Sequence, residues 1–351
     1  MTIGAHISGL DPHHSRLLSS LKIISSKSPD HTFLYFTESA VTELGENGIN
    51  IIITPRSKNK LLLYYWYNYK LPALLKKYNI TVFVSNAGML NMKTEIKQYL
   101  FFDTPDSDKT NSRFFIKIFK ASLAKAENIF TTEDYLTKVL IEKYGITRNK
   151  LSIVYHGLSD KSYLHKANGE LIKEKYTQGH DYFLSTAYTS ASDQLIVLLK
   201  GFSQLKKWQK TSMKLVVLLH NISEKDAVPD FKNYKYKEDV ILLQRTVNIE
   251  NELLPNCFAL IWSGSFEQRD IVFAGMQHEI PIIVSDNKIN KSLFSEAVLY
   301  TTLTAADLAA KMQVLYKDEE IRNKKIEQGK ILLEKYDLHT AASALQQIIL
   351  P

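Results

Sequence analysis

Residues 126–157 read AENIFTTEDYLTKVLIEKYGITRNKLSIVYHG, and this stretch decides how the chain is read. A short apolar run at 128–130 leads into a helix ending near Tyr144-Gly145-Ile146, and a second short run follows at 152–155. Run, helix and run in that order make a βαβ unit, whose two strands lie parallel in one sheet. The same alternation extends in both directions. Upstream, apolar or β-branched runs stand at 2–7, 32–36, 49–53, 80–84 and 99–102. Downstream they recur at 182–186, 214–219, 240–243, 259–262, 281–284 and 298–300. So many short runs do not make one ordinary sheet. The polar stretch 157–178 holds no strand signal, and the change of domain is expected there.

Helices separate the runs. Leu195, Leu198, Leu199, Phe202 and Leu205 recur at helical spacing and predict a helix laid on a sheet by one face. Thr304 with Asp307 opens a helix over 305–316 as a capping box would, with Asp in place of the usual Glu. Ala341, Ala344, Leu345, Ile348 and Ile349 give the last helix an apolar stripe that needs a partner. The fold class expected is α/β, with two Rossmann-like domains built on parallel sheets.

The composition fits this. The chain has 351 residues, 45% hydrophobic and 23% charged, enough for two cores of ordinary soluble type. Cys257 is the single cysteine, which excludes an internal disulfide framework and any multi-cysteine metal site. No apolar run reaches the roughly 18 residues of a spanning helix. The N-terminus has neither a basic region nor a long apolar one, so no signal peptide is expected and the protein is expected in the cytoplasm. The net charge of +7 suits polyanionic or phosphorylated partners, but no zinc-finger spacing, RRM-type signature or arginine-rich tail is present, and nucleic acid is not an expected partner. Residues 58–70, with Lys76 and Lys77 beyond, are basic and aromatic. Such a segment is either a core helix with snorkelling lysines or a peripheral contact with the inner face of an anionic membrane.

Several motifs carry a resemblance to a known family. Ala126-Glu127-Asn128-Ile129-Phe130-Thr131-Thr132 resembles an "A-D-x-I-hydrophobic-x-S" strand, and Lys150-Leu151-Ser152-Ile153-Val154-Tyr155-His156-Gly157 a "K-I-x-V-I-x-N-G" ending. Trp66, Leu71-Pro72 and Leu75 match a "W…L-P…L" helix. Met276 with Pro281-Ile282-Ile283-Val284-Ser285 is similar to "E-A-M-A-x-G-x-P-V-I-x-S". These are motifs of glycosyltransferase family 4, the glycosyl transferases group 1, and in order and spacing the resemblance spans nearly the whole chain. It implies the GT-B architecture: an acceptor-side domain over residues 1–165, a donor-side domain over 175–333, and a last helix, 334–351, packing back on the first domain. It further implies transfer of a hexose from a UDP- or GDP-linked sugar to a glycan or lipid-linked acceptor, with retention, as in polysaccharide biosynthesis, and no metal or other cofactor.

The departures from the family's pattern fall on its donor site. Ala187 stands where a glycine lets backbone approach the phosphates, and Asp193 where a lysine or arginine pairs with them. His220, Gln244 and Glu279 replace further glycines. The family's "E-x7-E" pair keeps Glu267, with Ala274 at the partner position. The acceptor-side "H-D" pair reads Phe102-Asp103, and the first glycine-rich loop reads Asp11-Pro12-His13-His14-Ser15. Fixed cations and N–H groups stabilise a leaving diphosphate, so these changes imply a rebuilt donor site or a dead one. The candidate donor-binding residues are Glu267, Arg245, Arg269, Ser190 and Val247, the two arginines as substitute phosphate cations. Asp103 is the acceptor-side candidate. The alternative is a catalytically degenerate homologue that binds glycan or scaffolds an active transferase.

Overall fold

The computed structural model describes residues 1–8, 15–41, 44, 47–53, 60–103, 112–155, 168–188, 192–220, 233–264 and 268–350. Two compact units divide the chain: Met1–Leu158 with Tyr336–Pro351, and Ser159–Lys335. Residues 9–14, 156–167, 189–191 and 265–267 lie outside the described residues, so nothing is said of the structure around His13, His14, Ser190 or Glu267.

In the first unit β1 (Thr2–His6), β2 (Thr32–Thr37), β3 (Gly48–Ile52), β4 (Val82–Ser85), β5 (Lys97–Phe102), β6 (Asn128–Thr131) and β7 (Leu151–Ile153) make one sheet in the order β3-β2-β1-β4-β5-β6-β7. Every described pairing is parallel. Its helices are α1 (Arg16–Lys27), α2 (Lys60–Tyr65), α3 (Leu71–Lys77), α4 (Arg113–Lys125), α5 (Asp134–Tyr144) and the chain's last helix, Leu338–Ile349. In the second unit β8 (Tyr182–Tyr188), β9 (Lys214–His220), β10 (Val240–Gln244), β11 (Ala259–Trp262), β12 (Ile282–Ser285) and β13 (Leu299–Thr301) run parallel in the order β10-β9-β8-β11-β12-β13. They alternate with α6 (Gly169–Thr177), α7 (Ser192–Gln209), α8 (Val247–Leu253), α9 (Asp270–Gln277), α10 (Lys288–Phe294), α11 (Ala305–Lys317) and α12 (Glu319–Leu333). The last helix is α13. Each strand overlaps one of the thirteen apolar runs, because a strand covered on both faces has no polar side to interrupt it.

Both faces of the first sheet are covered. On β2, Phe33 and Tyr35 enter the core cluster that contains α1 and α13, while Leu34 and Phe36 enter the cluster that contains α2 and α3. The last helix returns to the first unit and lies beside α1. It buries Ala341, Ala342, Leu345 and Ile349; Ala344, expected in the stripe, is only half-buried, and Ala342 takes the core position instead. Tyr99 donates to the Ile348 carbonyl at 3.2 Å, and Tyr336 to Glu133 Oε2 at 2.9 Å.

A π turn, Trp66–Lys70, joins α2 to α3, and the Leu71 amide donates to the Trp66 carbonyl five residues back. In that pattern residue 72 would donate to Tyr67, but it is Pro72 and has no N–H. The Asn91 side-chain amide donates to the Tyr67 carbonyl in its place. Asn91 is fully buried, and its own oxygen accepts from the amides of Lys93 and Thr94 at 2.8 and 2.9 Å. The "W…L-P" segment is thus a core helix on one face, with Leu63, Trp66, Tyr67, Leu71 and Leu75 buried.

In the second unit all five residues of the predicted apolar face on α7 are buried, and α11 packs alongside them. Thr304 caps α11 by accepting from the Asp307 amide at 3.3 Å. The reciprocal half of the capping box is displaced: the Asp307 carboxylate accepts from the Thr302 amide at 2.7 Å, not from Thr304. Among the described residues no helix is long and apolar enough to cross a membrane, and no three His, Cys, Asp or Glu side chains are grouped to hold a metal.

Candidate functional site

In an open parallel sheet, ligands bind beyond the carboxyl ends of the strands where the strand order reverses. The second sheet reverses between β8 and β11. A cavity of about 230 Å³ lies at that point. Its wall comprises Ser185, Thr186 and Ala187 of β8, Asp193, Gln194, Val197 and Leu198 of α7, Ile261 and Ser263 at the end of β11, and Leu303 and Leu308. Ser185 Oγ donates to the Ile261 carbonyl at 2.9 Å, tying the two strands together under the cavity. Gly264 closes the turn after β11: a Cβ there would stand 2.6 Å from Trp262 Nε1.

Two of the positions singled out in the sequence meet at this cavity, Ala187 and Asp193. Ala187 is buried, so its methyl occupies space that a glycine would leave open. The Asp193 side chain is exposed at the rim, and no lysine or arginine belongs to the described lining. The cavity therefore offers hydroxyls, amides and one carboxylate. Glu279 has φ near 60°, a backbone conformation that favours glycine. That left-handed region costs a β-carbon about 1–2 kcal/mol. Ala274 is buried within α9, so no carboxylate from that helix position reaches the site.

Of the donor-side candidates, the three among the described residues, Arg245, Val247 and Arg269, are absent from the cavity wall. Arg245 follows β10, two strands from β8, and its guanidinium pairs with the buried Glu250 carboxylate. Arg245 Nη1 also stands 2.9 Å from His220 Nε2. Burial first, and the Arg245 charge second, lower the His220 pKa to about 4, so this imidazole is neutral at pH 7. Val247, the first residue of α8, is exposed. Arg269 is fully buried at the start of α9 and is absent from the cavity wall. Neither arginine is a mobile surface cation.

The first sheet reverses between β1 and β4, and there a buried polar chain appears that the sequence reading missed. His6 ends β1, Nδ1 lies 2.6 Å from the Tyr67 hydroxyl, and that hydroxyl lies 2.6 Å from Ser85 Oγ at the end of β4. The Ala87 amide donates to the same Ser85 oxygen at 3.1 Å. His6 is fully buried, its Nε2 has no hydrogen-bond partner among the described residues, and burial lowers its pKa to about 3. Its one sequence signal is a histidine closing an otherwise apolar run. Asp103, the acceptor-side candidate, is half-buried just beyond β5 on the same carboxyl edge. A second cavity of about 260 Å³ lies past the end of β4, between the π turn and α4, and Tyr67 forms part of both it and the polar chain.

No family model matches the sequence, and no curated protein matches it. Solved structures do. A glycosyltransferase from Rickettsia africae ESF-5 superposes with a TM-score of 0.72 at 15% identity, covering 99% of this chain and 97% of that one. Sucrose-phosphate synthase from Thermosynechococcus elongatus gives 0.72 at 12% identity, covering 99% and 98%. Anabaena Alr3699/HepE in complex with UDP-glucose gives 0.70 at 12% identity, covering 99% of each chain. These similarities, with the two parallel sheets, define the fold as that of the GT-B glycosyltransferases.

Proposed function

We propose that this protein is a nucleotide-sugar-dependent glycosyltransferase of the family 4 type. The observation that carries the reading is the cavity at the strand-order reversal of the second sheet, in a fold shared with a protein solved in complex with UDP-glucose. Residues 175–333 then form the donor-side domain and residues 1–165 the acceptor-side domain, with 334–351 attached to the latter. In the reaction the bond from the anomeric carbon to the diphosphate breaks, and a bond to an acceptor hydroxyl forms with retention. The hydroxyl proton is released and the diphosphate departs with the bonding electrons. A UDP- or GDP-linked hexose is the donor, and a glycan or lipid-linked molecule the acceptor.

The carboxylate at the rim sets the chemistry of this donor site apart. Asp193 repels a diphosphate, so the cavity suits the hydroxyl-bearing part of a donor, to which Ser185, Thr186, Gln194 and Asp193 offer hydrogen bonds. The phosphate cation must come from another place. Arg245 serves only where a phosphate competes with Glu250 for its guanidinium, while Glu267, Ser190, Arg269 and Val247 remain donor-side proposals.

Calorimetry on the full chain with UDP, GDP and UDP-glucose tests this. We expect weak binding by the native protein and binding roughly tenfold tighter for Asp193→Asn, the effect of relieving about 1.4 kcal/mol of repulsion. Arg245→Ala should remove nucleotide binding if that guanidinium meets the phosphates. Unchanged affinity in Asp193→Asn would overturn the placement of the diphosphate near this cavity. No binding by native protein or variant would favour the degenerate, scaffolding homologue.

A further inference from the structure

Six exposed large apolar side chains gather on one surface of the first unit: Leu61, Leu62, Tyr65, Tyr69, Met92 and Phe114. They come from α2, the π turn, the loop after β4 and α4. Leu61, Tyr65 and Tyr69 recur along one face of the helix, and the rings of Tyr65 and Tyr69 stack with centroids 4.7 Å apart. This face is opposite the one that buries Leu63, Trp66 and Tyr67, so core packing does not account for it. Aromatic contacts bind the parts into one surface. Tyr64 meets Phe114 edge-on at 5.4 Å, Lys60 Nζ lies over Phe115 at 5.9 Å, and Lys93 Nζ over Tyr69 at 4.2 Å.

The two chain stretches that carry most of this surface are basic. Residues 60–77 hold Lys60, Lys70, Lys76 and Lys77, residues 113–125 hold Arg113, Lys117, Lys120 and Lys125, and neither stretch contains an aspartate or glutamate. Between the helices opens the apolar cavity of about 260 Å³, with Tyr64, Met89, Met92, Phe114 and Ile118 in its wall and Lys117 beside them. Exposed aromatic and aliphatic side chains flanked by cations fit the boundary of an anionic bilayer, where rings sit at headgroup level and lysines meet lipid phosphate. A protein partner would match the apolar patch without needing eight cations on two stretches that hold no acid.

We propose that α2, the π turn and α4 form a docking surface for an anionic lipid bilayer, with the cavity between them receiving part of a lipid's aliphatic chain. The surface stands on these residues alone. Only its consequence for the acceptor, that it arrives on lipid from the same bilayer, rests on the transferase reading.

Co-sedimentation of the full chain with phosphatidylcholine vesicles, with and without phosphatidylglycerol, tests the proposal. The protein should pellet with the mixed vesicles at low salt, be released by high salt, and stay in solution with phosphatidylcholine alone. Lys117→Glu with Lys120→Glu should weaken the partitioning roughly thirtyfold or more, from about 1 kcal/mol for each lysine near an anionic surface. Tyr65→Ser with Tyr69→Ser should weaken it at unchanged charge, and Ala121→Trp, which fills the cavity, should weaken it without altering the rim. All these positions are exposed, and a melting curve like that of the native protein will show that each variant is folded. Failure of the native chain to pellet with mixed vesicles, or native-like pelleting of the lysine and tyrosine variants, overturns the docking surface. Native pelleting by Ala121→Trp overturns the role of the cavity. UDP binding measured without vesicles is independent of these outcomes, so the failure of the transferase reading is seen separately.

Discussion

Burial of His6 makes the stability of the first unit depend on pH below about 6.5. The imidazole is fully buried, with Trp66 and Tyr67 rings 5.3 and 5.5 Å away, and among the described residues only Nδ1 has a partner. A charged imidazole would present two donors, and Nε2–H would meet no acceptor among the described residues. Its folded pKa is therefore about 3, against an ordinary value of 6.5. Above pH 6.5 both folded and unfolded chains hold it neutral, and it makes no difference. Below 6.5 the unfolded chain takes the proton and the folded one does not. Stability then falls by about 1.4 kcal/mol for each further pH unit, down to pH near 3. At pH 5 the loss is about 2 kcal/mol, or roughly 4–8 °C in the melting midpoint for a unit of this size. His6→Gln keeps a hydrogen-bonding partner for Tyr67 but does not titrate. Calorimetric melts of both proteins, from about pH 7.5 to about pH 5, should show the native midpoint falling more steeply than the variant's. Parallel curves would mean that His6 is protonated or hydrated in the folded protein, and would refute the argument from burial.

Two further perturbations probe the same unit. Leu345→Ala removes a fully buried side chain from the contact of α13 with α1, and should cost about 2–5 kcal/mol in a denaturant titration, while deletion from Asp337 onward should also expose apolar surface and lower solubility. Asn91→Ala leaves the Tyr67 carbonyl without the donor that replaces Pro72, and should cost about 1–3 kcal/mol. A midpoint within error of the native value would argue that water or a local shift satisfies that carbonyl.

Much of this protein was legible in the chain itself. All thirteen strands among the described residues overlap apolar runs visible in the sequence, and the buried face of α7 was set by five residues at helical spacing, because period and burial are local properties of each segment. Ala187 and Asp193 were singled out in the sequence too, and the structure brings those two residues to one cavity. Other features depend on residues far apart in the chain. His6, Tyr67 and Ser85 join only when β1 and β4 become neighbours and the π turn lays Tyr67 over their ends. Asn91 reads as one polar residue among many until Pro72 leaves a carbonyl open beside it. Arg245 looked like a phosphate cation by its position after a strand, but Glu250, five residues on, had already turned inward to take its charge. Tyr64 of α2 and Phe114 of α4 stand about fifty residues apart in the chain, and their rings meet only after packing. Strand order, the burial of a single histidine and the pairing of an arginine are decided by contacts between segments, whose energies no local pattern contains.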